Sequence, residues 1–192
     1  NFSNAEWAKI AGFRHLVDLT CWHNFKKQKP GTPKPDFDLD HELSGSGLVA
    51  FKNHPLRNLN IGGSTFNNFG LAAVAQLPNF RKIMAYHTRV TDEGVEKLAG
   101  NPHIKFLNLG PQFSMRISEK ALESIGQMKA LTELEFNETR VTWTNGLRHL
   151  QPLKKQLKRV KLDKTWIDDA CLEKARKALP NTTFEHSGPN AG

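Results

Sequence analysis

The chain has 192 residues, 24% of them charged and 38% hydrophobic, which is typical of a soluble globular protein and excludes a disordered one. No apolar run approaches the roughly 20 residues that a membrane-spanning helix needs, and the two cysteines, Cys21 and Cys171, are too few and too far apart in sequence for a disulfide framework or a zinc site. The formal net charge of +8 fits nucleic acid, an anionic surface or an acidic protein as a partner.

Taken in chain order, a first recurring pattern predicts a short helix at seven places. At each place an apolar residue precedes a polar one, and further apolar residues follow about four and seven positions later, as in Val90, Thr91, Val95 and Leu98. The polar residue occupies the N-cap, where its side-chain oxygen can accept a free backbone N–H, and the flanking apolar pair forms a hydrophobic staple. The predicted N-caps are Ser3, Ser44, Asn67, Thr91, Ser118, Thr142 and Asp168.

A second pattern, with apolar residues at positions 1, 4 and 6, predicts a half-buried strand whose intervening residues face outward. After a first copy at Leu16, the copies start at residues 56, 80, 104, 131 and 157, at intervals of 24, 24, 27 and 26 residues. The closing stretch LPNTTFEH predicts an edge strand over residues 180–186, with Phe184 as its central apolar residue. Because no single unit can bury its own apolar face, the units must stack on one another.

Together the two patterns resemble the leucine-rich repeat, and most closely its Thr-containing bacterial variety, LxxLxLxxTxITDxGLxxL. The resemblance extends over about residues 2–186, and the segments HTRVTDEGVEKL and NETRVTWTNGLRHL are near-literal copies. At the strand end, where Asn is usual, this chain has mostly Thr. The residues of this column are Ser64, Thr88, Thr139 and Thr165.

The resemblance implies an α/β fold, a right-handed solenoid or horseshoe of about seven repeats. Parallel strands would form its concave face and helices its convex face. It also implies a recognition scaffold with no catalytic residues, no cofactor and no metal. By resemblance alone, the chain is expected to be periplasmic or exported, as a domain or subunit of a larger envelope complex, with the cytoplasm as the alternative.

The domain organisation is predicted to be one leucine-rich-repeat domain over residues 1–186, followed by a polar tail over 187–192. An inserted loop at about residues 25–42 interrupts it, because WHNFKKQKPGTPKPDFDLDHE has three prolines and four lysines and fits no repeat. His23 and His41, together with nearby Asp and Glu residues, make a weak metal site there conceivable, although a hydrated loop is favoured. Cys21 is expected to be a buried structural thiol.

The outward strand positions predict a protein-binding surface on the concave sheet. Met84, Tyr86 and Phe106 are expected side by side in its middle, with Trp22 near the first repeat. Exposed aromatic residues and Met are typical of interface hot spots. In the alternative, the proline-rich loop covers Trp22 or Tyr86 and these residues serve only to hold the loop.

The cations of the predicted surface favour an acidic protein partner, or a larger multisubunit complex, over nucleic acid. Lys82, Lys105, Arg159 and Lys161 would supply the electrostatic complement. The basic stretch KKQLKRVKLDK could instead bind a phosphate backbone or another polyanion, but Glu133 and Glu135 in the neighbouring repeat would repel one. For this basic stretch alone, a hydrated face that aids solubility is favoured over both kinds of partner.

Overall fold

The computed structural model describes residues 4–21, 44–110 and 117–188. Within these ranges, short strands and helical segments alternate along the chain, and the strands form one parallel sheet in sequence order. Every strand therefore pairs only with its neighbours along the chain, as stacked units require. The strands are β1 Asp18–Thr20, β2 Asn58–Asn60, β3 Lys82–Met84, β4 Phe106–Leu109, β5 Glu133–Phe136, β6 Arg159–Leu162 and β7 Thr183–His186.

The strand register confirms the predicted apolar triplets. The central triplet residues are aligned across the sheet, so that Ile83 lies beside Leu59 on one side and Leu107 on the other. All three triplet positions are buried from β2 to β6, whereas Leu19 in β1 is only half-buried. Phe184 occupies the same row in β7, as the predicted edge strand requires. The core is thus a continuous apolar ladder beneath the sheet.

The convex side consists of α1 Glu6–Ile10, α2 Asn68–Ala75, α3 Asp92–Ala99, α4 Lys120–Ile125 and α5 Asp169–Ala178. Two further segments are 3-10 helices, η1 Ser46–Phe51 and η2 Leu147–Leu153. Pro152 has no N–H and interrupts α-helical bonding in η2. In the repeat that contains η1, the predicted N-cap Ser44 lies 14 residues before the start of β2 at Asn58. In the repeat that contains α2, the corresponding separation, from Asn67 to Lys82, is 15 residues. The larger rise per residue of a 3-10 helix compensates for this.

Two of the predicted N-caps within the described residues, Asn67 and Asp168, cap their helices, whereas the helices near Ser44, Ser118 and Thr142 start from Gly45, Glu119 and Gly146. Asn67 accepts the N–H of Phe69 at 3.0 Å, and Asp168 accepts that of Cys171 at 2.6 Å. The hydroxyls of Ser44, Ser118 and Thr142 likewise accept backbone N–H groups two or three residues further on. Thr91 is the exception, because its hydroxyl makes no cap bond and accepts instead from Asn68. Ser3 lies outside the described residues.

The residue after the predicted N-cap joins three pairs of neighbouring repeats. The amide of Asn68 bonds both the N–H of Thr91, at 2.9 Å, and its hydroxyl, at 2.8 Å. Asp92 makes the equivalent bonds to Ser118, at 2.8 and 2.6 Å, and Asn4 bonds Ser44 and the N–H of Gly45. A polar side chain in one repeat thus satisfies the helix start of the next.

Three members of the Thr column close the turn at the end of their strand, whereas the hydroxyl of the buried Thr139 has no hydrogen-bond partner in the described part of the chain. Ser64, Thr88 and Thr165 are buried, and each donates its hydroxyl to the carbonyl oxygen three residues earlier, at 2.6, 2.7 and 2.9 Å. The residue before this column has a left-handed backbone, with φ between 53° and 69° at Gly63, His87, Glu138 and Lys164. The buried hydroxyl thus stabilises a sharp turn whose left-handed backbone conformation is rare for residues other than glycine.

Several predictions concern segments that the structure does not describe. The inserted loop 25–42, its conceivable metal site, Trp22 and the last four residues of the polar tail all lie outside the described residues. The single-domain boundary therefore stays a prediction. Among the helices of the described ranges, none has the length and apolar character needed to cross a membrane.

Candidate binding surface

Strand alternation places a mixed apolar and charged row on the concave face. Lys82 and Phe106 are register partners on β3 and β4, and the Nζ atom of Lys82 lies 4.4 Å from the centroid of the Phe106 ring. Met84 follows Lys82 on the same face, and all three side chains are partly exposed. The cation–π contact holds the Phe106 ring at the surface.

Tyr86 lies at the end of β3, against the neighbouring repeat. A Cβ atom at Gly62 would be 2.5 Å from the Tyr86 ring, so the absence of a side chain there makes room for the ring. The ring also contacts His87 edge-on, at a centroid distance of 5.2 Å. Partial burial raises the pKa of the Tyr86 hydroxyl. The role of Gly62 was not predicted from the sequence. The signal for it is that a glycine occupies the same repeat position as Tyr86 in the preceding repeat.

Asn108 closes the floor of the surface instead of extending it. Its position on β4 predicts an outward residue, but only 5% of the residue is exposed. The amide nitrogen of Asn108 donates to Oε2 of Glu135 at 2.5 Å. The apolar residues Met84, Phe106 and Tyr86 are therefore bordered on the β5 side by a carboxylate.

A charge network covers the C-terminal half of the sheet. Arg159 donates to both carboxylate oxygens of Glu185, at 2.7 and 2.8 Å, and to Glu135 at 3.0 Å, while Glu133 lies 3.7 Å away. These hydrogen bonds raise the pKa of Arg159 and lower that of Glu185. Lys161 lies 2.5 Å from Asp163, whose hydrogen bond raises the Lys161 pKa.

These pairings change the electrostatics expected from the sequence. Arg159 and Lys161 lie on the concave sheet as predicted, but four carboxylates surround the two cations, so this half of the sheet is net acidic. Glu185, on the closing strand, was not predicted as a site residue, although the predicted position of Phe184 already places Glu185 beside Lys161. Lys105 is exposed immediately before β4, at the edge of the sheet.

The described residues contain no group of three His, Cys, Asp or Glu side chains that could hold a metal ion. Cys21 is a free, partly buried thiol, and burial raises its pKa to about 11. A thiol that stays protonated at neutral pH is a poor nucleophile.

Comparison with known proteins identifies the architecture. No protein-family model and no curated protein matches the chain. Among solved structures, an internalin from Listeria monocytogenes superposes with a TM-score of 0.62 over 93% of this chain, at 15% identity. A leucine-rich-repeat protein from Leptospira interrogans superposes with a TM-score of 0.51 over 72% of the chain, at 21% identity. The chain has the leucine-rich-repeat fold.

This finding confirms the predicted right-handed repeat architecture of parallel strands and outer helices. The chain spans 49% of the internalin chain and 38% of the Leptospira chain. At these identities the likeness establishes the leucine-rich-repeat fold alone. The binding surface described above comes from this chain's own residues.

The charge network predicts a pH-dependent contribution to stability. In the folded leucine-rich-repeat sheet, the pKa of Glu185 lies below its ordinary value of 4.5. The network therefore stabilises the fold above about that pH, and the contribution is lost as the pH falls through the lowered pKa. Arg159→Gln is expected to destabilise the protein at pH 7, with a difference from the original protein that narrows below pH 4.5.

Urea unfolding followed by circular dichroism at several pH values measures this difference. Lys158→Gln is the matched control, because Lys158 is the exposed neighbour of Arg159 and forms no ion pair within the described residues. A constant difference between Arg159→Gln and the original protein from pH 7 to pH 3 would contradict the network's role.

Proposed function

We propose that this chain is a non-catalytic scaffold that binds a protein partner on its concave sheet. The observation that carries the proposal is a partly exposed apolar group on two adjacent repeats, Met84 and Tyr86 on one and Phe106 on the next. Lys82 stacks on the ring of Phe106. Aromatic side chains that are held in place and partly exposed lose little conformational entropy on binding. Trp22 would extend this apolar group near the first repeat.

The partner is proposed to be acidic where it meets the N-terminal half of the surface. Lys82 and Lys105 supply positive charge beside the apolar group, and neither has an ion pair among the described residues. Arg159 and Lys161 take part as members of a charge network that carries excess carboxylates. The alternative, a phosphate backbone bound through Arg159 and Lys161, loses support because these carboxylates would repel it.

We place the scaffold in the cell envelope, as a domain or subunit of a larger complex. This part rests on the resemblance to Thr-containing bacterial repeats described above. The leucine-rich-repeat protein from Leptospira and the internalin from Listeria are bacterial structures with the same fold. A cytoplasmic location is the alternative, and fractionation of the native host decides between them.

Partner capture with surface variants tests the proposed function. Purified protein is immobilised, proteins bound from a host extract are crosslinked, and their recovery is quantified by mass spectrometry. Phe106→Ala and Tyr86→Ala are expected to lower recovery of the specific partner by about tenfold or more, as truncation of hot-spot residues does. The midpoint of thermal unfolding should change little, because both side chains lie outside the buried core.

Phe69→Ala is the matched control for the capture experiment. Phe69 is 64% exposed on α2, on the helical side of the repeat, so its removal deletes an equally large ring away from the sheet. Full recovery with this variant is expected. If Phe106→Ala and Tyr86→Ala capture the same proteins in the same amounts as the original chain, the concave face is not the binding surface.

A further inference from the structure

One edge of the leucine-rich-repeat sheet is basic over six of its seven turns. Because all strands are parallel and in sequence order, every turn that leads from a helix to the next strand lies at this edge. None of these turns contains Asp or Glu, and each of the first six contains Lys or Arg. We name this surface the basic edge; its turns are residues 11–17, 52–57, 76–81, 100–105, 126–132, 154–158 and 179–182.

The positive charge of the basic edge is exposed and uncompensated. Its turns hold nine Lys and Arg side chains, one more than the formal net charge of +8 of the whole chain. Eight of the nine are exposed, and the ninth, Arg81, is half-buried. Within the described residues none of them forms an ion pair with a carboxylate, unlike Arg159 and Lys161 on the concave sheet.

Within the described residues, the opposite edge has no such bias. There the strand-to-helix loops combine Glu138 and Asp163 with Arg140 and Lys164. The guanidinium of Arg140 stacks over the ring of Trp166 at 5.2 Å. Charge is therefore segregated across the solenoid, and the segregation follows the direction of the strands.

The cations of the basic edge form a two-dimensional array. One row stands at the strand starts, with Arg57, Lys105 and Lys158 among its members, and neighbouring strands are about 4.8 Å apart. Lys52 and Lys129 belong to a second row, further back in the turns. Because the cations lie in the first six turns, five strand spacings make the array roughly 24 Å long. A plane of anionic groups can meet both rows at once, whereas a single phosphate backbone follows one line.

Two further features of this edge fit a lipid surface. Phe13, in the first turn, is 68% exposed beside Arg14 and His15. Near the other end lies a groove of about 510 Å³ between α4 and η2. Its charged lining consists of the cations Arg148, Lys154 and Lys155 and one carboxylate, that of Glu123, so the groove carries a net positive charge. Peripheral membrane proteins combine cations for anionic headgroups with an aromatic ring for the acyl boundary.

We propose that the basic edge binds the surface of an anionic lipid bilayer. Lys and Arg side chains contact headgroup phosphates, and the groove beside Lys154 and Lys155 receives one headgroup. Phe13 inserts at the boundary between headgroups and acyl chains. The concave sheet is then held roughly perpendicular to the membrane and stays open to a protein partner.

Vesicle co-sedimentation tests this proposal. The full chain is expected to bind vesicles of phosphatidylcholine with about 30 mol% phosphatidylglycerol, and to bind vesicles of phosphatidylcholine alone far less. The edge variant R57Q/K129Q/K158Q should lower partitioning onto the anionic vesicles about 100-fold. Lys105 is left in place because it belongs to the proposed protein-binding surface.

The matched control K120Q/R140Q/K164Q removes the same charge from residues at the opposite, strand-to-helix side, all of them exposed. It should bind within a few-fold of the original chain. Phe13→Ser should weaken binding while leaving the net charge unchanged. Thermal unfolding of each variant verifies that it is folded, and Phe106→Ala should bind vesicles normally, which separates this test from that of the proposed function.

Three results would overturn the proposal. The first is the absence of binding to the anionic vesicles at low salt. The second is an equal loss in the edge and control variants, which would make the effect one of net charge alone. The third is binding of duplex DNA, but not of vesicles, that depends on Arg57, Lys129 and Lys158, which would identify the edge as a nucleic-acid surface.

Discussion

Leu107→Ala is expected to lower the free energy of unfolding by about 2–5 kcal/mol. Leu107 is fully buried at the centre of β4, and its register partners Ile83 and Leu134 leave no side chain free to fill the space. The loss combines the transfer of apolar atoms with the cavity that remains. Urea unfolding followed by circular dichroism measures it, since the change in midpoint reports stability directly.

Leu19→Ala is the comparison that makes the Leu107 result specific. Leu19 occupies the same position in β1 but is only half-buried, because β1 has a neighbouring strand on one side alone within the described residues. Its truncation removes the same atoms but less burial, so the loss should be clearly smaller. Equal losses at the two positions would mean that the contribution of these leucines to stability does not increase from the end of the sheet to its middle.

Asp92→Ala is expected to lower the free energy of unfolding by about 1.5–3 kcal/mol. Its carboxylate accepts the backbone N–H and the hydroxyl of Ser118, at 2.8 and 2.6 Å, and so joins α3 to the start of the next helical repeat. Without it, both groups of Ser118 must find other partners. The measurement is again urea unfolding at pH 7.

Glu93→Ala separates this contact from general charge effects. Glu93 is the exposed neighbour of Asp92 in the first turn of α3, so its removal costs the same charge and a similar interaction with the helix dipole. It should change stability by only a few tenths of a kcal/mol. If both substitutions destabilise equally, the bonds to Ser118 contribute little.

The fold was predictable because its causes are local and repeated. The apolar triplets around Leu59, Ile83 and Leu107 follow from the burial of alternate strand positions. The confirmed caps at Asn67 and Asp168 follow from the free backbone N–H groups at helix starts. The helix type has equally local causes. The pattern predicts a short helix without specifying its type, and the type at η1 and η2, a 3-10 helix, depends on a segment one residue shorter and on Pro152.

For the candidate site, the sequence predicted which residues share a face of the sheet, but not which side chains contact each other. The sheet does place Lys82, Met84 and Phe106 on one face. The stacking of Lys82 on Phe106, the space at Gly62 for Tyr86 and the burial of Asn108 follow from side-chain length and rotamer. A repeat period states which residues share a column, but not which atoms meet across it.

The sequence by itself determined the repeat and its register, because hydrophobic periodicity and capping act within about ten residues, and the resemblance to leucine-rich repeats implied the parallel direction of the strands. Only the tertiary structure decided how charge is distributed. It gathered Glu133, Glu135 and Glu185 around Arg159 from strands 24 to 26 residues away, and it aligned seven acid-free turns along one edge. Electrostatic interactions depend on distance in space, and stacking converts a distance of a full repeat along the chain into roughly 5 Å between neighbouring strands.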